Sequence, residues 1–197
     1  MHNITKEYIK QMVEIINDFP LNNLSDFINC IGKAYEENRT IFVIGNGGSA
    51  STASHFAADL NKNVIFTGRR PRVIALTDQI GSITAWGNDT EYTNIFVEQL
   101  KNFYNQGDLV IALSGSGKSP NVLKAIKWAK IHSATIVGLT GIQGLPLKEL
   151  SDVCIMVPSN KMEQIEDFHL VCMHAMIVSI REKYGKISSE IREEIKY

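Results

Sequence analysis

The sequence predicts an α/β fold: a doubly wound, three-layer sandwich around a parallel sheet of about five strands. Three observations lead to this prediction. Short β-rich runs alternate with helical stretches after residue 40. The strand runs are apolar throughout rather than alternating, which is typical of strands buried on both faces. Helices between such strands imply right-handed crossovers, which make the sheet parallel.

Two extra helices are predicted before the first strand, at 5–19 and 24–37, because apolar residues recur there at helical spacing. The predicted strands follow at 40–44, 73–77, 109–113, 135–139 and 153–157. The helices between them are predicted around 49–60, 80–85, 93–104, 120–132 and 145–150. A last helix, 162–184, is apolar almost all round, so we expect it to be buried either in the core or against another subunit.

Length and composition are those of an ordinary globular chain, which we interpret as one domain over 1–197. A net charge of −1 argues against a general nucleic-acid binder. The N-terminal segment does not resemble a signal peptide, and no apolar run approaches the ~20 residues of a membrane span. We therefore expect a cytoplasmic protein with no membrane partner. Cys30, Cys154 and Cys172 lack metal or redox spacing and are expected to be buried, reduced thiols, with a disulfide or a thiolate nucleophile as the alternative.

The first loop of interest is GNGGS at 45–49, which follows a strand and opens a helix. Glycines let backbone N–H groups approach a ligand, and a helix N-terminus favours an anion. The segment also satisfies the dinucleotide pattern G-x-G-x-x-A, but the stretch where an acidic residue is expected, NKNVIFTGRRPR, offers only basic ones. The loop therefore predicts an oxyanion site, with an ordinary tight turn as the alternative.

The second loop is SGSGKS at 114–119, between a strand and a helix. A nucleoside-triphosphate P-loop would need glycine where Ala112 stands. Three hydroxyls, those of Ser114, Ser116 and Ser119, remain beside backbone amides at a helix N-terminus. This arrangement suits a phosphate monoester, although serine-rich loops often serve only as caps and turns.

Ionisable side chains cluster on two predicted helices. His55 and Asp59 are four residues apart and share a face of the helix after the first loop. The last helix carries Glu166, Asp167 and His174; Asp167 and His174 share a face, and Glu166 is about 80° from His174. These groups suit a divalent metal or proton transfer beside a carbonyl, and spacing alone does not distinguish the two uses. Satisfied core or interface histidines are the alternative.

Together these residues resemble the sugar isomerase (SIS) domain proteins, and among them the phosphoheptose isomerases, which act on D-sedoheptulose 7-phosphate. The resemblance extends over essentially the whole chain. Its most specific parts are GNGGSAST with HFAADL, TDQIGSITAWGNDTEYTNIF, SGSGKSPNVLKAI and QIEDFHLVCMH.

The resemblance implies the roles of individual residues. The substrate would be bound by Asn46, Gly47, Gly48, Ser49, Asp89, Ser114, Gly115, Ser116, Ser119 and Glu166, with the three serines on the phosphate. A zinc ion, or another divalent metal, would be held by His55, Asp59, Glu166 and His174. Asp59 would be the catalytic base and His174 the proton shuttle. The resemblance also implies a homotetramer with active sites between subunits, and a product used for heptose in lipopolysaccharide or capsule.

Four positions depart from the family pattern. Asp59 replaces a glutamate, Glu166 replaces a glutamine, and Gly115 stands where many relatives have threonine. Lys62 is the only candidate to replace an arginine that relatives place near the substrate. A base shortened by ~1.5 Å matters, since a misplacement of about 1 Å can cost about 100-fold in rate.

The preferred interpretation is an aldose–ketose isomerase that converts D-sedoheptulose 7-phosphate to D-glycero-D-manno-heptose 7-phosphate. One alternative is a non-catalytic SIS protein that senses a phosphosugar or binds a protein such as a replication initiator. Another is a lyase, or a different isomerase, that uses the same phosphate loop on another phosphosugar.

Overall fold

Five parallel strands form one sheet in the order β2-β1-β3-β4-β5. The structure, a computed structural model, describes residues 2–64 and 70–184. The strands are β1 Thr40–Ile44, β2 Arg72–Ala75, β3 Leu109–Leu113, β4 Thr135–Gly141 and β5 Val153–Val157. Every pairing is parallel. The predicted fold class is therefore confirmed.

Eight α-helices surround the sheet within the described residues. They are α1 His2–Asn17, α2 Leu21–Glu36, α3 Gly48–Asn63, α4 Ile80–Asp89, α5 Val97–Phe103, α6 Pro120–Ile131, α7 Leu145–Leu150 and α8 Met162–Tyr184. Two short 3-10 turns, Leu76–Asp78 and Tyr92–Asn94, complete the list.

The alternating sides of the strands bury two separate apolar clusters. On one side Ile41, Val43 and Ile111 pack with residues of α2, α3 and α8. On the other side Phe42 and Val110 pack with residues of α5, α6 and α7. This alternation follows from the two-residue period of a strand, and it explains why the central strands are apolar at every position.

Two predicted elements are interrupted by a tight turn in the structure. The helix expected at 93–104 is divided into the turn Tyr92–Asn94 and the helix α5, with Ile95 and Phe96 buried between them. Strand β2 ends at Ala75, where the chain turns into Leu76–Asp78. In both places local apolar spacing predicted a continuous element, whereas contacts with the second cluster hold the chain in a tighter turn.

Helix α8 has its predicted bounds and buries one side against the sheet and its neighbours. Its buried residues are Gln164, Ile165, Phe168, His169, Cys172, Met173, Met176, Ile177 and Ile180. The opposite side keeps Val171 and Val178 about half exposed, at 52% and 50%. Helix α1 carries further exposed apolar residues, among them Ile9 and Val13. Burial within one chain therefore accounts for only part of the apolar surface of α8.

All three cysteines are free; Cys172 is buried, and Cys30 and Cys154 are partly buried. Burial raises the pKa of each thiol, to about 11 for Cys154 and about 12 for Cys172. These thiols are therefore protonated at neutral pH, as expected of structural cysteines. Separately, no helix among the described residues is long and apolar enough to cross a membrane.

His169 is fully buried in α8, and neither ring nitrogen has a hydrogen-bond partner among the described residues. Burial lowers its pKa from 6.5 to about 4. At pH values between these two pKa values, His169 therefore binds a proton in the unfolded chain but not in the folded chain. Titration of His169 therefore leaves the free energy of unfolding unchanged above about pH 6.5 and lowers it as the pH falls toward 4.

We predict that His169→Asn makes the free energy of unfolding less dependent on pH. Between about pH 7.5 and about pH 4.5 the parent should lose about 2–3 kcal/mol more than the variant. Denaturant unfolding at the two pH values measures this difference. The exposed His132, changed to Asn, serves as the control and should follow the parent; an His169→Asn variant that also follows the parent would contradict the assignment.

Candidate active site

The strand order reverses between β1 and β3, so the loops that follow these two neighbouring strands leave toward opposite faces of the sheet. Such a switch point opens a crevice at the carboxyl end of the strands. A cavity of about 240 Å³ lies there. Its walls are Asn46, Gly47, Gly48, Ser49, Leu113, Ser114, Gly115, Ser116, Ser119, Met162 and Glu166.

The serine loop, residues 114–119, is held from behind by β4. The Ser114 N–H donates to the Leu139 carbonyl at 3.0 Å, which continues the β3–β4 pairing. The Gly115 carbonyl accepts from the Gly141 N–H at 3.0 Å and from the Thr140 hydroxyl at 3.3 Å. These contacts satisfy the Ser114 N–H and the Gly115 carbonyl and hold the loop against the end of β4.

The hydroxyls of the serine loop lie close together. Ser114 Oγ and Ser119 Oγ are 3.0 Å apart, and Ser116 Oγ accepts from the Lys118 N–H at 3.2 Å. The loop ends at Ser119, where Pro120 starts α6. Hydroxyl and amide donors at the start of a helix form a suitable site for a dianionic phosphate.

Gly117 shapes this loop because its φ of +63° lies in the left-handed region. A Cβ on Gly117 would also overlap the backbone of Gly144, at the start of α7. Both features exclude a side chain here without rearrangement of the loop.

The glycine loop, residues 45–49, contributes a side-chain amide and a helix start. Asn46 pairs its amide with that of Asn121 on α6, with N–O distances of 2.9 and 2.8 Å. The Glu166 carboxylate packs directly on Gly48, where a Cβ would overlap it. The carboxylate therefore lies beside the first residue of α3, where it favourably complements the positive end of the helix dipole.

His55, Asp59 and His174 form a second group of polar side chains, where α3 packs against α8. His55 Nε2 lies 3.4 Å from Asp59 Oδ2 and 3.4 Å from His174 Nε2, and His174 Nε2 lies 3.7 Å from Asp59 Oδ2. In a tetrahedral zinc site with bonds of about 2.0–2.1 Å, ligand atoms are about 3.3–3.4 Å apart. Two imidazoles and a carboxylate in this triangle fit a divalent ion.

Three predicted site residues do not join the groups in which they were expected. Glu166 lines the cavity but, among the described residues, does not belong to the His55–Asp59–His174 cluster. Asp89 is exposed at the end of α4 and accepts from Asn88. Lys62 is exposed in the last turn of α3. The assigned roles of these three residues stay predictions.

The sequence analysis left Asp167 without a role and missed three residues at the site. Asp167 accepts a 2.6 Å hydrogen bond from the Tyr8 hydroxyl, and this bond is the main cause that raises the pKa of Tyr8 to about 12. Leu113 and Met162 line the cavity, and Met162 occupies the space that a side chain at position 115 would need. Asn121 contacts Asn46 from a position 75 residues away, so only its place beside the serine loop could have pointed to it.

Comparison with known proteins agrees with this geometry. The SIS domain matches residues 7–141. The chain therefore belongs to the SIS domain family.

Within this family, curated phosphoheptose isomerases match most of the chain. That of Aliarcobacter butzleri is 35% identical over 171 residues, which cover 87% of this chain and 88% of the relative. Phosphoheptose isomerase 2 of Campylobacter jejuni is 36% identical over 155 residues, 78% of this chain and 77% of the relative. The structure of a phosphoheptose isomerase from Neisseria gonorrhoeae superposes with a TM-score of 0.85 at 26% identity, covering 92% of this chain and 98% of the other. The resemblance inferred from the sequence is confirmed.

We predict that Gly117→Ala disturbs the serine loop, because the new methyl group meets the Gly144 backbone at an unfavourable φ. The free energy of unfolding should fall by about 1–3 kcal/mol, and the affinity for inorganic phosphate should fall with it. Gly81→Ala is the control, since a Cβ there has open space within a helix and should be neutral or slightly stabilising. Equal phosphate affinity in both variants would show that the loop does not bind this anion.

Proposed function

We propose that this protein is a phosphoheptose isomerase that converts D-sedoheptulose 7-phosphate to D-glycero-D-manno-heptose 7-phosphate. The observation that carries the proposal is the cavity between the two loops. All the predicted substrate-binding residues except Asp89 line it. The similarity to phosphoheptose isomerases over most of their length supports the same reaction.

In this proposal the phosphate group binds in the serine loop. Ser114, Ser116 and Ser119 donate hydrogen bonds to its oxygens, together with loop N–H groups. No lysine or arginine lines the cavity among the described residues, so neutral donors and the α6 helix dipole supply the attraction. The rest of the sugar chain then extends from the serine loop past Asn46 and the glycine loop.

Asp59 removes the proton from C1 of the ketose, and the electrons form an enediol between C1 and C2. His174 carries the proton between the two oxygens, and C2 receives a proton to give the aldose. Asp59 is 19% exposed, and its Oδ2 lies 3.7 Å from Nε2 of His174, which places the proposed base beside the proposed proton shuttle. The Asp59 side chain is shorter than the glutamate of the family pattern. It nevertheless lies close to both histidines, which supports its role as the base.

The His55–Asp59–His174 triangle would hold the zinc ion that the family resemblance implies, with Glu166 as the predicted fourth ligand. When bound, the ion polarises the carbonyl and stabilises the negative charge that develops on its oxygen.

We further propose a homotetramer in the cytoplasm, with each site completed by neighbouring subunits. Support comes from the exposed apolar residues of α1 and α8, including Ile9, Val13, Val171 and Val178, which a partner subunit would cover. The heptose phosphate would serve the synthesis of lipopolysaccharide or capsule.

We predict that Ser116→Ala and Ser119→Ala each weaken binding of sedoheptulose 7-phosphate by about 1–3 kcal/mol, since each removes a hydrogen bond to a charged group. Isothermal titration measures the affinity. Ser25→Ala, on α2 with its hydroxyl bonded to the Leu21 carbonyl, is the control and should bind normally. Normal binding by both loop variants would place the phosphate elsewhere.

We predict that Asp59→Asn binds sedoheptulose 7-phosphate but does not isomerise it, because the amide keeps the size of the side chain and lacks a basic oxygen. Product formation and binding are measured on the same sample. Asp26→Asn, an exposed carboxylate on α2, controls for loss of charge and should retain full activity. If Asp59→Asn turns over at the parent rate, another group is the base.

A further inference from the structure

Asn121 is a polar residue with only 2% of its surface exposed, at the second position of α6. It does not line the cavity, yet its side chain reaches Asn46, which does. The two amides form a reciprocal pair, in which Asn46 Nδ2 donates to Asn121 Oδ1 at 2.9 Å and Asn121 Nδ2 donates to Asn46 Oδ1 at 2.8 Å.

A backbone contact fixes the orientation of both amides. The Val122 N–H donates to Asn121 Oδ1 at 3.0 Å. A backbone N–H can only donate, so the Asn121 atom beside it is the oxygen. The Asn46 atom that faces this oxygen must then be the nitrogen. The other contact therefore joins Asn121 Nδ2 to Asn46 Oδ1.

The pairing leaves Asn46 with one available group. Its oxygen accepts from Asn121 and, at 3.3 Å, from the Tyr92 hydroxyl, which uses both lone pairs. Its nitrogen donates one hydrogen to Asn121, and the described residues offer no acceptor for the other. At the cavity the Asn46 side chain can therefore donate a hydrogen bond but has no lone pair left to accept one.

We infer that Asn121 is a positioning residue: it holds the Asn46 amide so that its remaining N–H donates to a hydroxyl or carbonyl oxygen of the phosphosugar. This inference rests on the proposed function. Asn121 lies two residues after Ser119, the end of the serine loop, so the same residue fixes the sugar contact relative to the phosphate site. Holding a donor in place before the substrate arrives reduces the ordering needed in the complex.

Asn121→Asp tests this role with little change in shape. The aspartate keeps an oxygen for the Val122 N–H, and a negative charge is favourable in the first turn of a helix. It removes the donor to Asn46 Oδ1 and places an oxygen there instead. We expect kcat/KM for sedoheptulose 7-phosphate to fall about 10-fold or more, and further than the affinity for inorganic phosphate, which measures the effect of the added charge alone.

Asn23→Asp is the matched control. Asn23 lies on α2, away from the cavity, and its side chain donates to the Cys154 carbonyl at 3.1 Å. The aspartate loses this donor, but kcat/KM should stay at the parent value. An Asn121→Asp variant with the parent kcat/KM would overturn the inference.

A double-mutant cycle with Asn46→Ala separates positioning from a merely structural role. If Asn121 acts through Asn46, Asn121→Asp lowers kcat/KM in the parent by clearly more than it does beside Asn46→Ala. An equal loss in both backgrounds would overturn the inference. If the parent does not convert the sugar, the proposed function fails instead, and the same cycle on the dissociation constant of sedoheptulose 7-phosphate decides the role of Asn121.

Discussion

The reversal of strand order between β1 and β3 is the constraint on which the site depends. These strands are neighbours, with Ile44 opposite Ala112, so their following loops start side by side. Their helices then pack on opposite faces, α3 with the first apolar cluster and α6 with the second. The two loops therefore separate as they leave the sheet. The space between them is the cavity, and the N-termini of both helices border it.

Helix α8 connects this cavity with the His55–Asp59–His174 cluster. Near its start, Met162 and Glu166 form one wall of the cavity. Two turns beyond Glu166, His174 meets His55 and Asp59 of α3. Since α3 begins at the glycine loop, the packed helices α3 and α8 contribute residues both to the cavity and to the His55–Asp59–His174 cluster. A small shift of α8 would move Glu166 and His174 together relative to the serine loop, which β4 holds separately.

Predictions from the sequence were most accurate where a single local feature determines the structure. Strands β1, β3 and β5 have their predicted bounds because each consists of apolar residues, apart from Thr40 at the start of β1. Strand β4 runs two residues further than predicted, through Thr140 and Gly141, because these pair with Met156 and Val157 of β5. The shared face of His55 and Asp59 followed from helical spacing. The approach of His174 to both could be taken only from the family resemblance, since it depends on how α3 and α8 pack.

Contacts between residues far apart in the sequence could not be predicted from local sequence patterns. Asn46 and Asn121 look like ordinary loop and helix-start residues, and only the folded sheet brings their amides together. Likewise, Glu166 was expected in the metal cluster, and its contact with Gly48 depends on the side-by-side packing of the two helices. Whether Glu166 also reaches the metal stays a prediction.

Incubation of the zinc-loaded protein with sedoheptulose 7-phosphate, followed by NMR, tests the central claim most directly. The account predicts that the ketose signals decline while those of an aldose heptose 7-phosphate grow to a constant ratio. Saturable binding of the ketose without any aldose would contradict it and would favour a phosphosugar-binding SIS protein without isomerase activity.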